Sequence, residues 1–259
     1  MNVHLSNGTH LVLKLSPSSS TEVLRHERRS LAGEAFTLSL LAKSKLPVPR
    51  VFKYDSRCKQ IDSPFLLTTH LPGIPYANVR PYQTHSERSG IERQIRSLSS
   101  IVGQHTWPKF GPVAMEGGYD TWREAFLALL ESVLMDGEDK LVSLPYLQIR
   151  DEALRFSSSL DAVKQARLVV MGLGQPENVL IDRTTNEVTG LLDFGRAMWA
   201  DPEIMIPPTR RTPKSLLYIC YNSIITIVTN HYRPSDESQE LDARKALTTA
   251  LNELLCMTI

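Results

Sequence analysis

The stretch LVVMGLGQPENVLIDRTTNEVTGLLDFG, residues 168–195, carries the most specific structural signal in this sequence. Three apolar runs, at 168–171, 179–182 and 188–193, predict short strands, and the polar residues between the second and third predict a turn. Asn178 stands just before the second strand and Asp193 closes the third, so both lie at neighbouring strand ends.

Oxygen-donor side chains in such a pair can chelate a hard divalent cation such as magnesium. A cation held there would bridge and neutralise the phosphate oxygens of a nucleoside triphosphate. The alternative is a β-hairpin in which Asn178 and Asp193 only cap turns, which is a common duty of these residue types. The pattern alone leaves both interpretations open.

The N-terminal 70 residues predict a small β-rich unit with one helix. Val3 and Leu5 alternate with polar residues, Asn7-Gly8 is a hairpin-turn pair, and a second strand ends at Lys14. Apolar residues at three- and four-residue spacing predict a helix over 21–42. An extended segment over 46–52 and a buried strand over 63–70 follow, and Leu71-Pro-Gly stops that strand.

Helical patterns dominate after residue 73. The helices are predicted at about 85–104, 119–136, 146–165, 213–231 and 239–256, and prolines between 72 and 81 indicate a hinge. The fold class is therefore α+β. We expect a small lobe at 1–70 that contains the hairpin, the helix and the hinge strand, and a larger helical lobe at 71–259 that contains the strands of 168–195.

Composition excludes several classes of protein. With 29 Lys+Arg against 28 Asp+Glu, the formal net charge is +1, which gives no overall electrostatic case for nucleic acid or an anionic membrane. The three cysteines are far apart, so a disulfide framework and a zinc module are not expected. No apolar run reaches the length of roughly 18 residues that spans a bilayer. The alternating N-terminus does not resemble a signal peptide, and we expect a soluble cytoplasmic protein.

Five ordered segments together resemble the aminoglycoside phosphotransferase and choline kinase family, especially its fungal members. They are the strand ending at Lys14, the helix with Glu34, the run Leu46-Pro-Val-Pro-Arg-Val, the segment Phe65-Leu-Leu-Thr-Thr-His-Leu-Pro-Gly, and Pro-Glu-Asn178 followed by Asp193-Phe-Gly. The resemblance extends from the first hairpin to about Pro202. It implies a two-lobed protein-kinase-like fold, with ATP and Mg²⁺ as cofactors and a small-molecule acceptor.

The resemblance also implies roles for individual residues. Lys14 would hold the α- and β-phosphates, and Glu34 would orient Lys14 through an ion pair. Glu27 is the alternative partner, but Glu34 stands 13 residues before Pro47, close to the separation in the family. Backbone groups of the hinge would meet the adenine edge, and Asn178 and Asp193 would hold magnesium. The hinge residues are Leu67, Thr68, Thr69 and His70.

The catalytic loop departs from the family pattern. The family has a loop of the form His-Gly-Asp-Leu-x-x-x-Asn, whose aspartate accepts the proton of the substrate hydroxyl. Counting back from Asn178 without a gap puts Leu173 at that aspartate, and a gap of one residue puts Gly172 there. Neither side chain can accept a proton, so the general base is absent in both registers. Glu177 and Asp182 are near in sequence but do not stand at the family's position.

A second departure concerns the N-terminus. The family has a further strand and a phosphate-covering loop before the hairpin that begins here at Val3, so an abbreviated N-lobe is expected, through natural trimming or a missing first exon. Three hypotheses remain open: an ATP-dependent small-molecule phosphotransferase by descent, a pseudokinase that binds without catalysis, and a cleft reused for other chemistry. The acceptor and the oligomeric state are not encoded in a recognisable motif.

Overall fold

The computed structural model describes residues 1–4, 6, 8–17, 21–58, 62–233 and 237–258. Its strands are β1 (Asn2–His4), β2 (His10–Leu15), β3 (Val51–Asp55), β4 (Phe65–Thr69), β5 (Ile74–Pro75), β6 (Thr106–Trp107), β7 (Gly111–Pro112), β8 (Ala166–Val170), β9 (Val179–Ile181), β10 (Val188–Leu191) and β11 (Ala197–Ala200). Its α-helices are α1 (Ser30–Leu41), α2 (Tyr76–Val79), α3 (His85–Val102), α4 (Trp122–Asp139), α5 (Tyr146–Arg155), α6 (Pro213–Tyr232) and α7 (Glu237–Cys256).

The N-terminal sheet has the strand order β1-β2-β4-β3 and is antiparallel throughout. Its β1–β2 pairing is the predicted hairpin, although Leu5 and Asn7 of the predicted strand and turn lie outside the described residues. Helix α1 packs beside β3 and β4 and buries Leu38 and Leu41 completely. The sheet and helix together form the small β-rich unit that the sequence predicts.

The prediction of one continuous helix over 21–42 is wrong. A 3₁₀ helix, Arg25–Glu27, precedes α1, which begins only at Ser30. Arg25 is drawn to Asp136 of α4, with its Nη1 atom 2.5 Å from Oδ1 and its backbone N–H donating to Oδ2 at 3.1 Å. This contact spans 111 residues of sequence, so no local pattern could indicate where the helix begins.

The C-terminal part contains the predicted strands of 168–195 and more sheet than the helical patterns indicated. A three-stranded sheet has the order β10-β9-β5, and a four-stranded sheet has the order β6-β8-β11-β7. Helices α4 and α6 enclose an aromatic cluster in which Trp122 Nε1–H donates to the Tyr218 hydroxyl at 2.7 Å. Among the described helices, none combines the length and the apolarity that a bilayer crossing requires.

Backbone hydrogen bonds join the two parts beside the β9–β10 hairpin. The Leu191 N–H donates to the Pro47 carbonyl at 2.8 Å, which ties β10 to the segment before β3. Strand β5, which follows the end of β4, pairs with β9. These contacts place the hairpin with Asn178 and Asp193 directly against the N-terminal unit.

Candidate nucleotide site

An ion pair joins β2 to α1. Lys14 Nζ lies 2.5 Å from Glu34 Oε1, and the Glu34 side chain is only 6% exposed whereas that of Lys14 is 38% exposed. A buried carboxylate needs such a partner because desolvation without one is costly. Strand alternation puts Lys14 on the same face as Val12, and the ion pair with Glu34 places α1 on that face.

Glu27 is not the partner of Lys14. It lies in the 3₁₀ helix, where one carboxylate oxygen accepts from the Leu24 N–H at 3.1 Å, and it forms an ion pair with Arg233 at the end of α6. The structure therefore brings Glu34, and not Glu27, to Lys14.

The ion pair stands between two cavities. One, of about 300 Å³, is lined by Lys14 and Glu34 together with Thr68, Thr69 and His70, and its apolar walls include Val12, Leu180 and Leu192. The other, of about 460 Å³, is lined by the same pair together with Asp193. The apolar wall residues were missed in the sequence, although Val12 shares the strand face of Lys14 by simple alternation.

The hinge residues 67–70 lie on β4, an inner strand of the N-terminal sheet, and directly after it. Leu67 is half-buried between Leu13 and Lys53 of the flanking strands, and Thr68 is buried. The Thr69 N–H donates to the Arg50 carbonyl at 2.9 Å, and the His70 N–H donates to the His10 carbonyl at 3.2 Å. Since these two donors are already used within the sheet, an adenine edge would have to meet other backbone groups of this segment.

Asn178 and Asp193 are joined through the backbone of the β9–β10 hairpin. The Leu192 N–H donates to the Asn178 carbonyl at 2.8 Å, and Asn178 Nδ2 donates to the Gly172 carbonyl at 3.3 Å, which leaves Oδ1 as the free oxygen donor. Asp193 has a left-handed backbone with φ of +62°, a conformation that is uncommon for a residue with a side chain and that clusters at functional sites. Its carboxylate forms no ion pair with any described residue.

The two oxygen donors fit magnesium better than a metal that needs a full protein cage. As the side chains stand, no group of three or more His, Cys, Asp or Glu in the described ranges is arranged to hold a metal ion. Magnesium is commonly bound by only one or two carboxylates, with substrate phosphates and water as its remaining ligands. The Asp193 carboxylate lines a cavity that Lys14 also lines, and Asn178 is joined to the residue before Asp193 by a backbone hydrogen bond, so this pair of donors is compatible with magnesium.

The loop between β8 and the 3₁₀ helix Pro176–Asn178 contains positions 172 and 173, the two that the sequence aligns with the family's catalytic aspartate. Gly172 has a φ of +82°, and a Cβ atom there would lie 3.2 Å from Gln175 Oε1. Leu173 has no such restriction; its side chain is half-buried and packs against the core. The position that can carry a side chain without strain is thus residue 173, where the chain has a leucine.

The two carboxylates that follow Leu173 most closely in sequence lie outside the cavities beside Lys14. Asp182 Oδ1 accepts from the backbone N–H groups of Thr184 and Thr185 at 2.7 and 3.0 Å, which lowers the pKa of this carboxyl. Glu177 is exposed and lines a small separate cavity with Arg80 and Arg88. Neither side chain lines the cavities beside Lys14.

Asp201 has a structural role. The buried carboxylate accepts from the Tyr218 hydroxyl at 2.7 Å and from Lys214 Nζ at 2.8 Å, and it caps the 3₁₀ helix Pro202–Met205. Burial and the nearby Asp201 charge raise the pKa of the Tyr218 hydroxyl, so this hydroxyl remains a donor. The network anchors the chain after β11 to α6.

Comparison with known proteins identifies the family. The model of the phosphotransferase enzyme family, APH, matches residues 2–204, and the chain therefore belongs to that family. A search of curated proteins finds no match. The family is the one that the sequence resembles.

Solved structures confirm the two-lobed protein-kinase-like fold of the aminoglycoside phosphotransferases. A thermostable mutant of aminoglycoside phosphotransferase APH(4)-Ia, in a ternary complex with ADP and hygromycin B, superposes with a TM-score of 0.70 at 14% identity, over 100% of this chain and 94% of that one. An aminoglycoside phosphotransferase homologue from Ralstonia eutropha JMP134 gives 0.61 at 12% identity, over 96% and 86%. The gentamicin complex of APH(2″)-IIa gives 0.55 at 16%, over 100% and 92%. At these identities the likeness concerns the fold alone.

Proposed function

We propose that this chain binds ATP with Mg²⁺ in the cleft between residues 1–70 and 71–259, and that it has lost most or all of the phosphoryl transfer that its family performs. The observation that carries the proposal is that Lys14, Glu34 and Asp193 line one cavity while the place of the catalytic base is taken by Leu173. Both ADP and hygromycin B are bound in a structure of the same fold, which supports a nucleotide and a small-molecule acceptor as the ligands.

The nucleotide would be held by charge and by an apolar slot. The Lys14 ammonium, oriented by Glu34, is a point charge suited to the phosphates. Val12, Leu180 and Leu192 would pack against the base in the cavity that Thr68, Thr69 and His70 also line. Asn178 Oδ1 and the Asp193 carboxylate would hold Mg²⁺, which, when bound, neutralises phosphate charge.

Loss of the general base would reduce phosphoryl transfer while leaving nucleotide binding in place. A positioned general base typically contributes about 10²–10⁴-fold to the rate. Leucine has no group that accepts a proton, and the nearby carboxylates of Glu177 and Asp182 line neither cavity. Positioning and charge neutralisation remain, so any residual transfer to a small-molecule hydroxyl or amine would be slow. This is the behaviour of a pseudokinase, and a cytoplasmic location with its supply of ATP and magnesium belongs to the same proposal.

Calorimetric titration with ATP, with and without magnesium, tests the proposal. We expect binding that requires magnesium in the native chain, and loss of that binding in Asp193→Ala. Asp151→Ala is the matched control, because Asp151 is an exposed carboxylate on α5 and lines none of the cavities beside Lys14. Absence of binding at millimolar ATP, or equal affinity of Asp193→Ala and the native chain, would contradict the proposed site.

A further inference from the structure

Three histidines form a row across neighbouring strands of the N-terminal sheet. His4 of β1 is the direct partner of His10 in β2. The β2–β4 register pairs Leu11 with Thr69, and one step further it brings His10 opposite His70, whose N–H donates to the His10 carbonyl at 3.2 Å. The three imidazoles therefore stand side by side on adjacent strands.

The row lies on the sheet face that carries Lys14. Side chains alternate between the two faces of a strand, so His10 shares a face with Val12 and Lys14, and His4 shares it with Asn2. Asn2, Val12, Lys14 and His70 line the same cavity, which places the row at its rim. All three histidines are exposed and accessible to an ion from solution.

The rings are already close to one another. The ring centroids of His4 and His10 are 4.4 Å apart in an edge-to-face arrangement, and those of His10 and His70 are 6.4 Å apart. The described residues contain no preformed set of three such ligands, so binding requires the rings to turn. Adjacent strands are about 4.8 Å apart, and exposed side chains change rotamer readily, so two or three imidazole nitrogens can converge on one ion.

We propose that His4, His10 and His70 bind one divalent transition-metal ion of the zinc, nickel and copper class. Neutral imidazole is the ligand that these ions favour, and the row offers no carboxylate or carbonyl cluster of the kind that magnesium or calcium selects. Bound metal would connect β1 and β2 to the end of β4, where the chain leaves the sheet for β5. This site is separate from the Asn178 and Asp193 pair and does not depend on nucleotide binding.

Zinc titration of the metal-free full chain tests the site, with Cys58 and Cys256 replaced by serine in every variant so that exposed thiols do not contribute. We expect one zinc ion per chain with micromolar affinity, and roughly tenfold or greater weakening in His10→Gln because the central ligand is lost. His85→Gln, an exposed histidine at the start of α3 outside the row, is the matched control and should bind as the parent does.

Thermal unfolding gives a second measurement of zinc binding, one that does not depend on the heat of binding. Zinc at about 100 times its Kd should raise the Tm of the parent by several degrees, and should raise it much less in His10→Gln. His4→Gln repeats the test if His10→Gln does not fold. No zinc binding by the parent at millimolar concentration, or equal zinc affinity of the parent and the His10→Gln variant, would overturn the proposal.

Discussion

At the scale of single residues, the loop before Asn178 can be aligned with the family's catalytic loop in two registers, and the structure favours one of them. The two alignments of this loop differ in whether Leu173 or Gly172 replaces the family's aspartate, and the sequence alone does not choose between them. The left-handed backbone at Gly172 and the nearby Gln175 side chain disfavour a larger residue there. Leu173 is free of that constraint, which makes it the position to restore.

Leu173→Asp should therefore raise the rate of phosphoryl transfer from Mg-ATP. A carboxylate at the base position can accept the proton of an acceptor hydroxyl or of water, and the expected gain is on the order of 10²–10⁴-fold. The measurement is ADP release at saturating Mg-ATP. Leu173→Asn is the matched control, because it has the same shape and loses the same apolar packing but cannot act as a base. Equal ADP release by the two variants would contradict the assignment of Leu173 to the base position.

At the scale of secondary-structure elements, helices α3 and α4 were predictable because they carry their own start signals. They begin after Thr84 and Thr121, each of which forms a capping box with a glutamate three residues on. The prediction of one helix over 146–165 is wrong, because α5 ends at Arg155 and the 3₁₀ helix Ser157–Ala162 follows. Strand β11 was missed because its pairing with β7 and β8 joins segments far apart in sequence. The late beginning of α1 has the same cause, since Arg25 is hydrogen-bonded to Asp136 of α4, which is far away in sequence.

The turn from β4 into β5 depends on a glycine. Gly73 has a φ of +117°, and a Cβ there would lie 2.3 Å from Thr189 Oγ1 and 2.9 Å from the Ile181 carbonyl oxygen. Gly73→Ala should destabilise the protein by about 2 kcal/mol, because both the backbone conformation and the β5–β9 contact must change. Urea denaturation at neutral pH measures the effect as a lower midpoint.

Gly90→Ala provides the matched control for Gly73→Ala. Gly90 lies inside α3 and has open space around its Cα, so alanine should raise the free energy of unfolding by about 0.5–1 kcal/mol. Two substitutions of the same chemistry should thus act in opposite directions. A Gly73→Ala variant as stable as Gly90→Ala would show that the β4–β5 turn relaxes without cost.

At the scale of the whole molecule, backbone hydrogen bonds, the β5–β9 pairing and ion pairs hold the N-terminal and C-terminal parts together. Only some of these contacts lie at the candidate nucleotide site. The Lys14–Glu34 ion pair was predictable from the resemblance to the family, and the magnesium role of Asn178 and Asp193, implied by the same resemblance, stays a prediction. Their cavities were not predictable, because each forms where segments far apart in sequence meet: β2, β4 and β9 around one cavity, and β2, α1 and Asp193 around the other. The 3₁₀ helix Arg25–Glu27 adds a further bridge, through Asp136 of α4 and through Arg233, which follows the last residue of α6.

His26, the middle residue of this 3₁₀ helix, makes the contact between the two parts sensitive to acid. Burial lowers the pKa of His26 to about 4, and the charges of Arg196 and Arg233 act in the same direction, against an opposing effect of Glu27. The unfolded chain, with an ordinary pKa near 6.5, takes up a proton at a higher pH than the folded chain does. Stability is therefore complete above about pH 6.5 and is lost as the pH falls from there towards 4.

We expect the native chain to lose about 2 kcal/mol of unfolding free energy between pH 7 and pH 5 from this one group. His26→Gln should lose less over the same interval because its side chain does not titrate, whereas His85→Gln, which removes an exposed histidine, should behave as the native chain does. Urea denaturation at the two pH values measures each difference. If the loss is the same in His26→Gln and the native chain, the acid sensitivity arises elsewhere, and the bridge of residues 25–27 holds the two parts together without titrating.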